Sequence, residues 1–307
     1  MRLPPARQRM AQAARGYLLD LVFGELPETF HPLVAFGHAM QWIEGRLYAD
    51  SRLSGLGYMV LGVGPAAALG HLFSAAPAAC YLSCGGRALA AAALDVSAAL
   101  DGGDLDLARS RLKALVGRDT SALDEGEISR AAVESVAENS VDAVVAPLFF
   151  TAALGGAGSL GHRAANTLDA MVGYRNERYC RFGWASARLD DALAYLPARL
   201  TAVLIAAVRP GKAGGIWQTV RRDAPSHPSP NAGVAEAAFA AALGVTLGGT
   251  NSYGGRLEHR TPLGRGRPVE PGDIAAAVRL LEEVGLLAAV LLAAASLTGG
   301  RGEGGRR

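Results

Sequence analysis

Polar and ionisable side chains adjoin long apolar segments in the middle of this 307-residue chain. Charge beside hydrocarbon is costly, so ionisable groups within reach of a bilayer usually pair with one another, bind a ligand or do chemistry. The apolar runs here are long enough to enter a membrane. The side chains concerned are Glu134, Glu138, Asn139, Asp142, Asn166, Asp169, Arg175, Asp190, Asp191 and Arg199.

Three of these acids form a column. Glu134, Glu138 and Asp142 recur at every fourth position, so they share one face of a helix, and like charges at that spacing repel. Mg²⁺ is commonly held by one or two carboxylates plus substrate phosphate, which would relieve the repulsion. We therefore predict all three as metal ligands, with Glu138 and Asp142 also catalytic. A solvated acidic stripe is the alternative, although the column runs directly into the apolar segment 143–150.

A second group contains Asn166, Asp169 and Gly173, whose spacing puts them on one helix face, with Arg175 following where that helix ends. We predict Asp169 as a third catalytic acid. A buried structural pair of Asn166 with Asp169 is the alternative. A third group contains Arg188, Asp190, Asp191 and Arg199. Surface ion pairing is the alternative role for these four residues.

A proline-rich loop at residues 221–233 forms the fourth group. Three prolines stiffen this loop and present His227, Ser229 and Asn231 in a fixed array. We predict these three side chains to bind substrate. The alternative for Asn231 is a cap on the helix that continues to residue 243.

Composition favours a membrane protein. Half of the residues are hydrophobic, mean hydropathy is +0.19, and the many small residues allow helices to approach closely in lipid. A net charge of +2 with scattered basic residues excludes a nucleic-acid partner. The cysteines, Cys80, Cys84 and Cys180, form no CxxC pair and are interpreted as packing residues. The apolar run after the basic N-terminus is short and broken by Asp20, so no cleaved signal peptide is expected.

The elements that position these groups are predicted to be helices. Residues 53–86 form the strongest candidate span and 284–300 the second, with weaker candidates at 143–161 and 193–208. Gly64-Pro65 and Pro77 are expected to kink the run 53–86 or divide it into unequal pieces. Asp124 with Glu127 predicts a capped helix start, and 95–116 predicts an amphipathic helix pair broken at 102–103. No segment alternates with period two, so a sheet is not expected. The prediction is an all-α, multi-pass helical membrane protein with polar segments and loops on one face, one domain over 1–298 and a disordered tail at 299–307.

The motifs of these groups resemble adenosylcobinamide-phosphate synthase of cobalamin biosynthesis. The resemblance covers about residues 14–300, in the family's order, and includes Asp20 and His31. The chain departs from the family's usual pattern at positions 25–26, 140, 143 and 194. The matching runs are VGRDT (116–120), ESVAENSVD (134–142), APLF (146–149), NTLD (166–169), MVGY (171–174), DD (190–191), PAR (197–199) and HPSPNAG (227–233).

The resemblance implies a multi-pass inner-membrane ligase that joins adenosylcobyric acid to aminopropanol phosphate, or a related amino-alcohol phosphate, through an amide bond. It implies ATP as co-substrate, Mg²⁺, a corrinoid partner and an active site on the cytoplasmic side; a homo-oligomer or contacts with other cobalamin-pathway enzymes stay open. The implied substrate-binding residues are His31, Arg118, Asp119, Thr120, Asn139, Asn166, Tyr174, Arg175, Asp190, Asp191, Arg199, His227, Ser229 and Asn231.

Two other functions stay open from the residues alone. A membrane prenyl-type transferase would use Asn and Asp pairs facing an apolar cavity to bind Mg²⁺-diphosphate, although only half of its usual acidic repeats is present. A non-catalytic transporter or scaffold is consistent with the glycine-interrupted spans. The chain has no GxxxxGK[ST] motif and only two lysines, Lys113 and Lys212, so any ATP site is not a P-loop.

Overall fold

The computed structural model of the protein describes residues 3–72, 77–253 and 256–298. Helices dominate this part of the chain, so the predicted all-α class is confirmed. The predicted disordered tail lies outside the described residues. The helices are α1 (Ala6–Phe23), α2 (Pro32–Leu47), α3 (Arg52–Leu72), α4 (Ala78–Ser83), α5 (Gly86–Asp101), α6 (Leu105–Leu112), α7 (Glu125–Ser140), α8 (Ala146–Val172), α9 (Trp184–Val208), α10 (Ala213–Asp223), α11 (Ala232–Leu243) and α12 (Gly272–Thr298).

In the described part of the chain, four helical segments are long and apolar enough to cross a membrane, as expected of a multi-pass membrane protein. Each predicted span contains part of one of them, but the boundaries differ. The strongest candidate, 53–86, is divided into unequal pieces near Pro77, as expected: α3 ends at Leu72, and a short helix, α4, begins at Ala78 after Pro77. The four segments are Arg52–Leu72, Glu125–Val172, Trp184–Val208 and Gly272–Thr298.

The longest of these segments begins with the predicted cap. The Asp124 carboxylate accepts the Glu127 N–H at 2.8 Å, and the Glu127 carboxylate accepts the Asp124 N–H at 3.0 Å, which satisfies two otherwise unpaired donors. α7 then passes through one π-helical turn, Val141–Val145, into α8. A glycine with positive φ, Gly155 at 69°, kinks α8.

A small sheet was not predicted. β1 (Leu247–Tyr253) pairs antiparallel with β2 (Arg256–Leu263), with an irregular register between Leu247 and Gly249. Gly248 and Gly249 both have positive φ. Glycines at consecutive positions interrupt the alternation of apolar and polar residues that marks a strand in sequence. The expectation that the chain has no sheet, which relied on that alternation, is therefore wrong.

The chain divides into two compact units. The first contains Met1–Gly85, Ala146–Ala194 and Ala288–Arg307. Glycines of α3 allow close backbone approach, as the composition predicts: a Cβ on Gly70 would lie 2.1 Å from the Gly156 carbonyl oxygen of α8, and one on Gly55 would lie 1.8 Å from that of Phe182, in the turn before α9. The core of this unit contains Met40, Tyr58, Leu168, Val172 and Phe182.

The second unit contains Gly86–Val145 and Tyr195–Leu287. The predicted helix pair is present as α5 and α6, and the chain turns between them at Gly103, whose φ is 72°. α7 packs against both α5 and α11, and α10 packs against α11. The single domain predicted over 1–298 stays a prediction.

Candidate functional site

The second unit contains a buried ion pair between Glu134 of α7 and Arg118, which lies between α6 and α7. The Glu134 carboxylate accepts Arg118 Nη2–H at 2.8 Å and the Gly248 backbone N–H at 2.8 Å, and Arg130 Nη1 lies at 3.4 Å. The Arg118 and Glu134 side chains are only 5% and 7% exposed. Arg130 also donates to the carbonyl of Gly248 in β1, so β1 is bound to this ion pair. Both oxygens of Glu134 therefore have protein donors, which a metal ion would have to displace.

The other two acids of the column are more accessible. Glu138, near the end of α7, is exposed, and Asp142, in the π-helical turn, is half-buried. π-Helical turns within helices are frequent at functional sites because they redirect side chains locally. Between the two acids, the Asn139 amide donates to the Ser135 carbonyl at 2.9 Å and is held by its own helix. Glu138 and Asp142 are thus the members of the column best placed to meet a ligand.

The donor set fits Mg²⁺ only in part. Within residues 3–72, 77–253 and 256–298, no three His, Cys, Asp or Glu side chains are grouped so as to hold a metal ion. Mg²⁺ usually keeps several waters and takes one or two carboxylates together with substrate phosphates. Glu138 and Asp142 can supply such a pair, so the metal prediction requires substrate to complete the ligand set.

The proline-rich loop adjoins Arg199 of α9. The Arg199 guanidinium donates to Asn231 Oδ1 at 3.0 Å and to the Pro230 carbonyl at 3.2 Å, and it lies 3.5 Å from the centre of the Tyr195 ring. The Asn231 side chain does not cap α11. Ser229 Oγ accepts the Ala232 N–H at 3.1 Å instead. The capping alternative for Asn231 is therefore wrong, and its amide is committed to Arg199.

Sequence reasoning missed a buried acid beneath this loop. Glu236 of α11 has a side chain 1% exposed, and its Oε1 lies 3.5 Å from Nε2 of His227, itself 4% exposed. Burial raises the pKa of the Glu236 carboxyl well above its usual range, and Glu138 and Glu134 raise it further. Burial lowers the pKa of the His227 imidazole. The sequence signal was available, because Glu236 is the one acid in an otherwise apolar helix.

A second polar face lies in the first unit. The Asn166 amide donates to Asp190 Oδ1 at 3.3 Å, which connects α8 to α9. The suggested pairing of Asn166 with Asp169 stays a prediction. Asp169 interacts electrostatically with Asp191. A Cβ on Gly173 would lie 1.9 Å from Asp169 Oδ1, so the carboxylate needs a glycine there. The shared helix face is thereby confirmed. Tyr174 and Arg175, predicted to bind substrate, are exposed.

Three further predicted substrate-binding residues have local structural contacts. Nδ1 of His31 accepts the Leu33 N–H at 3.2 Å and caps α2. Thr120 Oγ1 donates to the Arg109 carbonyl at 3.0 Å. Asp119 accepts the backbone N–H and the hydroxyl of Ser121, bonds that lower the pKa of its exposed carboxyl. Their substrate-binding roles stay predictions.

Comparison with known proteins identifies the family. The model of the CobD/Cbib protein family matches residues 13–281. Cobalamin biosynthesis protein CobD of Mycobacterium tuberculosis (strain CDC 1551 / Oshkosh) is 45% identical over 289 residues, which cover 90% of this chain and 92% of the relative. The protein of that name from Chromobacterium violaceum is 45% identical over 300 residues (92% and 95%), and that of Geobacter metallireducens is 43% identical over 305 residues (92% and 94%). No solved structure matches. The chain belongs to the CobD/CbiB family.

Proposed function

We propose that this protein, whose family membership gives it a role in cobalamin biosynthesis, is the ligase that condenses adenosylcobyric acid with aminopropanol phosphate or a related amino-alcohol phosphate. The observation that carries this reaction is the pair of carboxylates, Glu138, which is exposed, and Asp142, which is half-buried, on the segment that also contains Glu134. Acids that can share a cation with phosphate are groups that ATP-dependent acyl activation needs.

The proposed reaction has two steps. A carboxylate and an ammonium ion do not condense in water, so the corrinoid carboxylate first takes the γ-phosphoryl group of ATP, giving an acyl phosphate and ADP. The amine then loses a proton, attacks the acyl carbon and releases phosphate as the amide forms. Bound Mg²⁺ would neutralise phosphate charge.

The protein's own residues divide these tasks by charge. Glu138 and Asp142 would hold Mg²⁺ or accept the amine proton. Arginines bind phosphate and carboxylate bidentately, which suits Arg175 and Arg199 to substrate anions. In the first unit, Asp169 with the Asn166–Asp190 contact offers a further polar face to substrate. The protein is proposed to lie in the inner membrane with its active site open to the cytoplasm, because nucleotide and corrinoid are present in the cytoplasm.

A direct assay tests the reaction. Protein purified in detergent is incubated with adenosylcobyric acid, aminopropanol phosphate, ATP and Mg²⁺, and the product is identified by mass. Omission of each reactant in turn should abolish the product. Formation of product without ATP, or its absence with all four, would contradict the proposal. A parallel incubation with an isoprenoid diphosphate tests the transferase alternative.

A further inference from the structure

A cavity of about 420 Å³ lies beside the proline-rich loop in the second unit. Its wall is mostly apolar, with Val220, Pro230 and Val234, and two polar side chains, Arg199 and His227, contribute to it. Pockets with apolar walls and a few placed polar groups are typical of small-ligand sites. This volume is at the low end of such pockets and suits a small molecule, whereas a corrin ring system with its side chains is too large for it.

Arg199 gives this cavity a positive charge that the protein does not neutralise. Its guanidinium donates to three neutral oxygens, those of Tyr195, Pro230 and Asn231. Among the described residues, it forms no ion pair with a carboxylate. An arginine has five N–H donors, so two stay available after these three bonds. A fixed guanidinium with spare donors binds phosphate well.

His227 and Glu236 contact each other beneath the loop that lines this cavity. Nδ1 of His227 contacts the Ser229 backbone, with the N–H at 3.1 Å and the carbonyl at 3.2 Å. Nε2 faces Glu236 Oε1 at 3.5 Å, and neither of these two buried atoms forms a hydrogen bond within the described residues. In either tautomer, one ring nitrogen binds the loop and the other faces the acid. A Cβ on Gly233 would lie 2.4 Å from His227 Cβ, so the ring sits tightly against α11.

We propose that this cavity binds the phosphate group of a small phosphorylated amine through Arg199, and that Glu236 is a positioning residue that holds the loop in its binding form through His227. The inference rests on the proposed function, because the amino-alcohol phosphate of that reaction belongs to this ligand class. The triphosphate of ATP shares the same phosphate chemistry and is the competing source.

Binding to the detergent-purified full chain, measured by calorimetry, tests the assignment without turnover. The probes are aminopropanol phosphate, unphosphorylated aminopropanol, inorganic phosphate and ATP. We expect aminopropanol phosphate to bind, and Arg199→Gln to weaken its binding at least about tenfold, the scale of one lost charged hydrogen bond. Thr201→Val is the matched control, since it removes a buried hydroxyl of the same helix, bonded to Pro197, without touching the cavity.

Variants of Glu236 test positioning. Glu236→Leu should raise the KM for the amine at least about tenfold and leave the KM for ATP and for the corrinoid unchanged, with no loss of melting temperature. Glu236→Gln, which keeps a hydrogen-bonding group opposite Nε2, should recover most of the affinity. A uniform rise of all three KM values, or parental amine binding in Glu236→Leu, would overturn the positioning role.

The two proposals fail in different ways. Amine-phosphate binding that depends on Arg199 in a protein that forms no product would support the cavity and refute the ligase. Product formation with parental amine KM in Arg199→Gln would refute the cavity alone. If ATP, and not aminopropanol phosphate, depends on Arg199 for binding, the assignment of the ligand class is wrong.

Discussion

Replacing Glu134 with glutamine tests whether the ion pair with Arg118 stabilises the second unit. Glu134 accepts Arg118 and the Gly248 N–H, each at 2.8 Å, and the two charged side chains are 7% and 5% exposed. Removing one charge of a buried pair typically costs about 3–5 kcal/mol. Arg130, 3.4 Å away, is a second cation that would lose its contact with the Glu134 carboxylate. We therefore expect Glu134→Gln to lower the free energy of unfolding by at least about 3 kcal/mol.

Urea unfolding in detergent, followed by circular dichroism, measures this loss. In a double-mutant cycle, Glu134→Gln combined with Arg118→Met should cost less than the sum of the single changes, by about 0.5–3 kcal/mol. Asp106→Asn is the control. It breaks a 2.8 Å pair with Arg109 in which the Asp106 side chain is 92% exposed, and such exposed pairs contribute roughly 0–1 kcal/mol.

Unchanged stability of Glu134→Gln, together with a changed Mg²⁺ dependence, would support the prediction that Glu134 is a metal ligand. If Glu134→Gln unfolds at the parental urea concentration but needs more Mg²⁺ for activity, then Glu134 binds the metal and its contact with Arg118 carries little stability. A loss of stability with unchanged Mg²⁺ dependence supports the structural role.

Four further substitutions give separate outcomes. Glu138→Gln and Asp142→Asn should each lose most product formation with unchanged membrane yield, and parental rates would favour a solvated acidic stripe. Asn231→Ala removes the acceptor 3.0 Å from Arg199. We expect KM to rise or kcat to fall about tenfold, since a lost polar contact in a desolvated site costs roughly 1–3 kcal/mol. A lower melting temperature with unaltered kinetics would contradict this expectation. Because the folded-state pKa of Glu236 is raised, its contribution to stability is complete below the unfolded value of about 4.3 and is lost as pH rises through the folded value. The unfolding free energy of the parent minus that of Glu236→Gln should therefore fall as pH rises. A difference that does not change with pH would contradict the raised pKa of Glu236.

Local sequence signals predicted the start of α7 and the break between α5 and α6. Asp124 and Glu127 satisfy backbone donors within one turn, and Gly103 supplies a positive φ that other residues rarely adopt. Such features need no distant partner. The four spans were predicted for a related reason, because an uninterrupted apolar run limits the possible structures. The end of α3 was predicted less well, since 53–86 has no charge to mark it.

Contacts between distant segments were not predictable. The hairpin at 247–263 is bound to α7 through Arg130 and Glu134, more than 100 positions earlier, and its glycines conceal the strand pattern. The capping alternative for Asn231 was reasonable from residue type, but Arg199 competes for the same amide. A side chain with two possible partners cannot be assigned until the fold brings the distant one within reach.

The raised pKa of Glu236 explains how a buried acid can be tolerated in α11, where nine of the other residues are buried and apolar. An ionised carboxylate there would need a full counter-charge, and an isolated buried charge is far more costly than a neutral polar group. Burial, and then Glu138 and Glu134, raise the pKa of Glu236 and favour its neutral form, while burial lowers the pKa of His227 and favours the neutral imidazole. A neutral acid that faces a neutral imidazole at 3.5 Å separates no charge in the apolar interior. The loop at 227–231 can thereby be fixed from within an apolar helix, while Arg199 keeps its positive charge for a ligand.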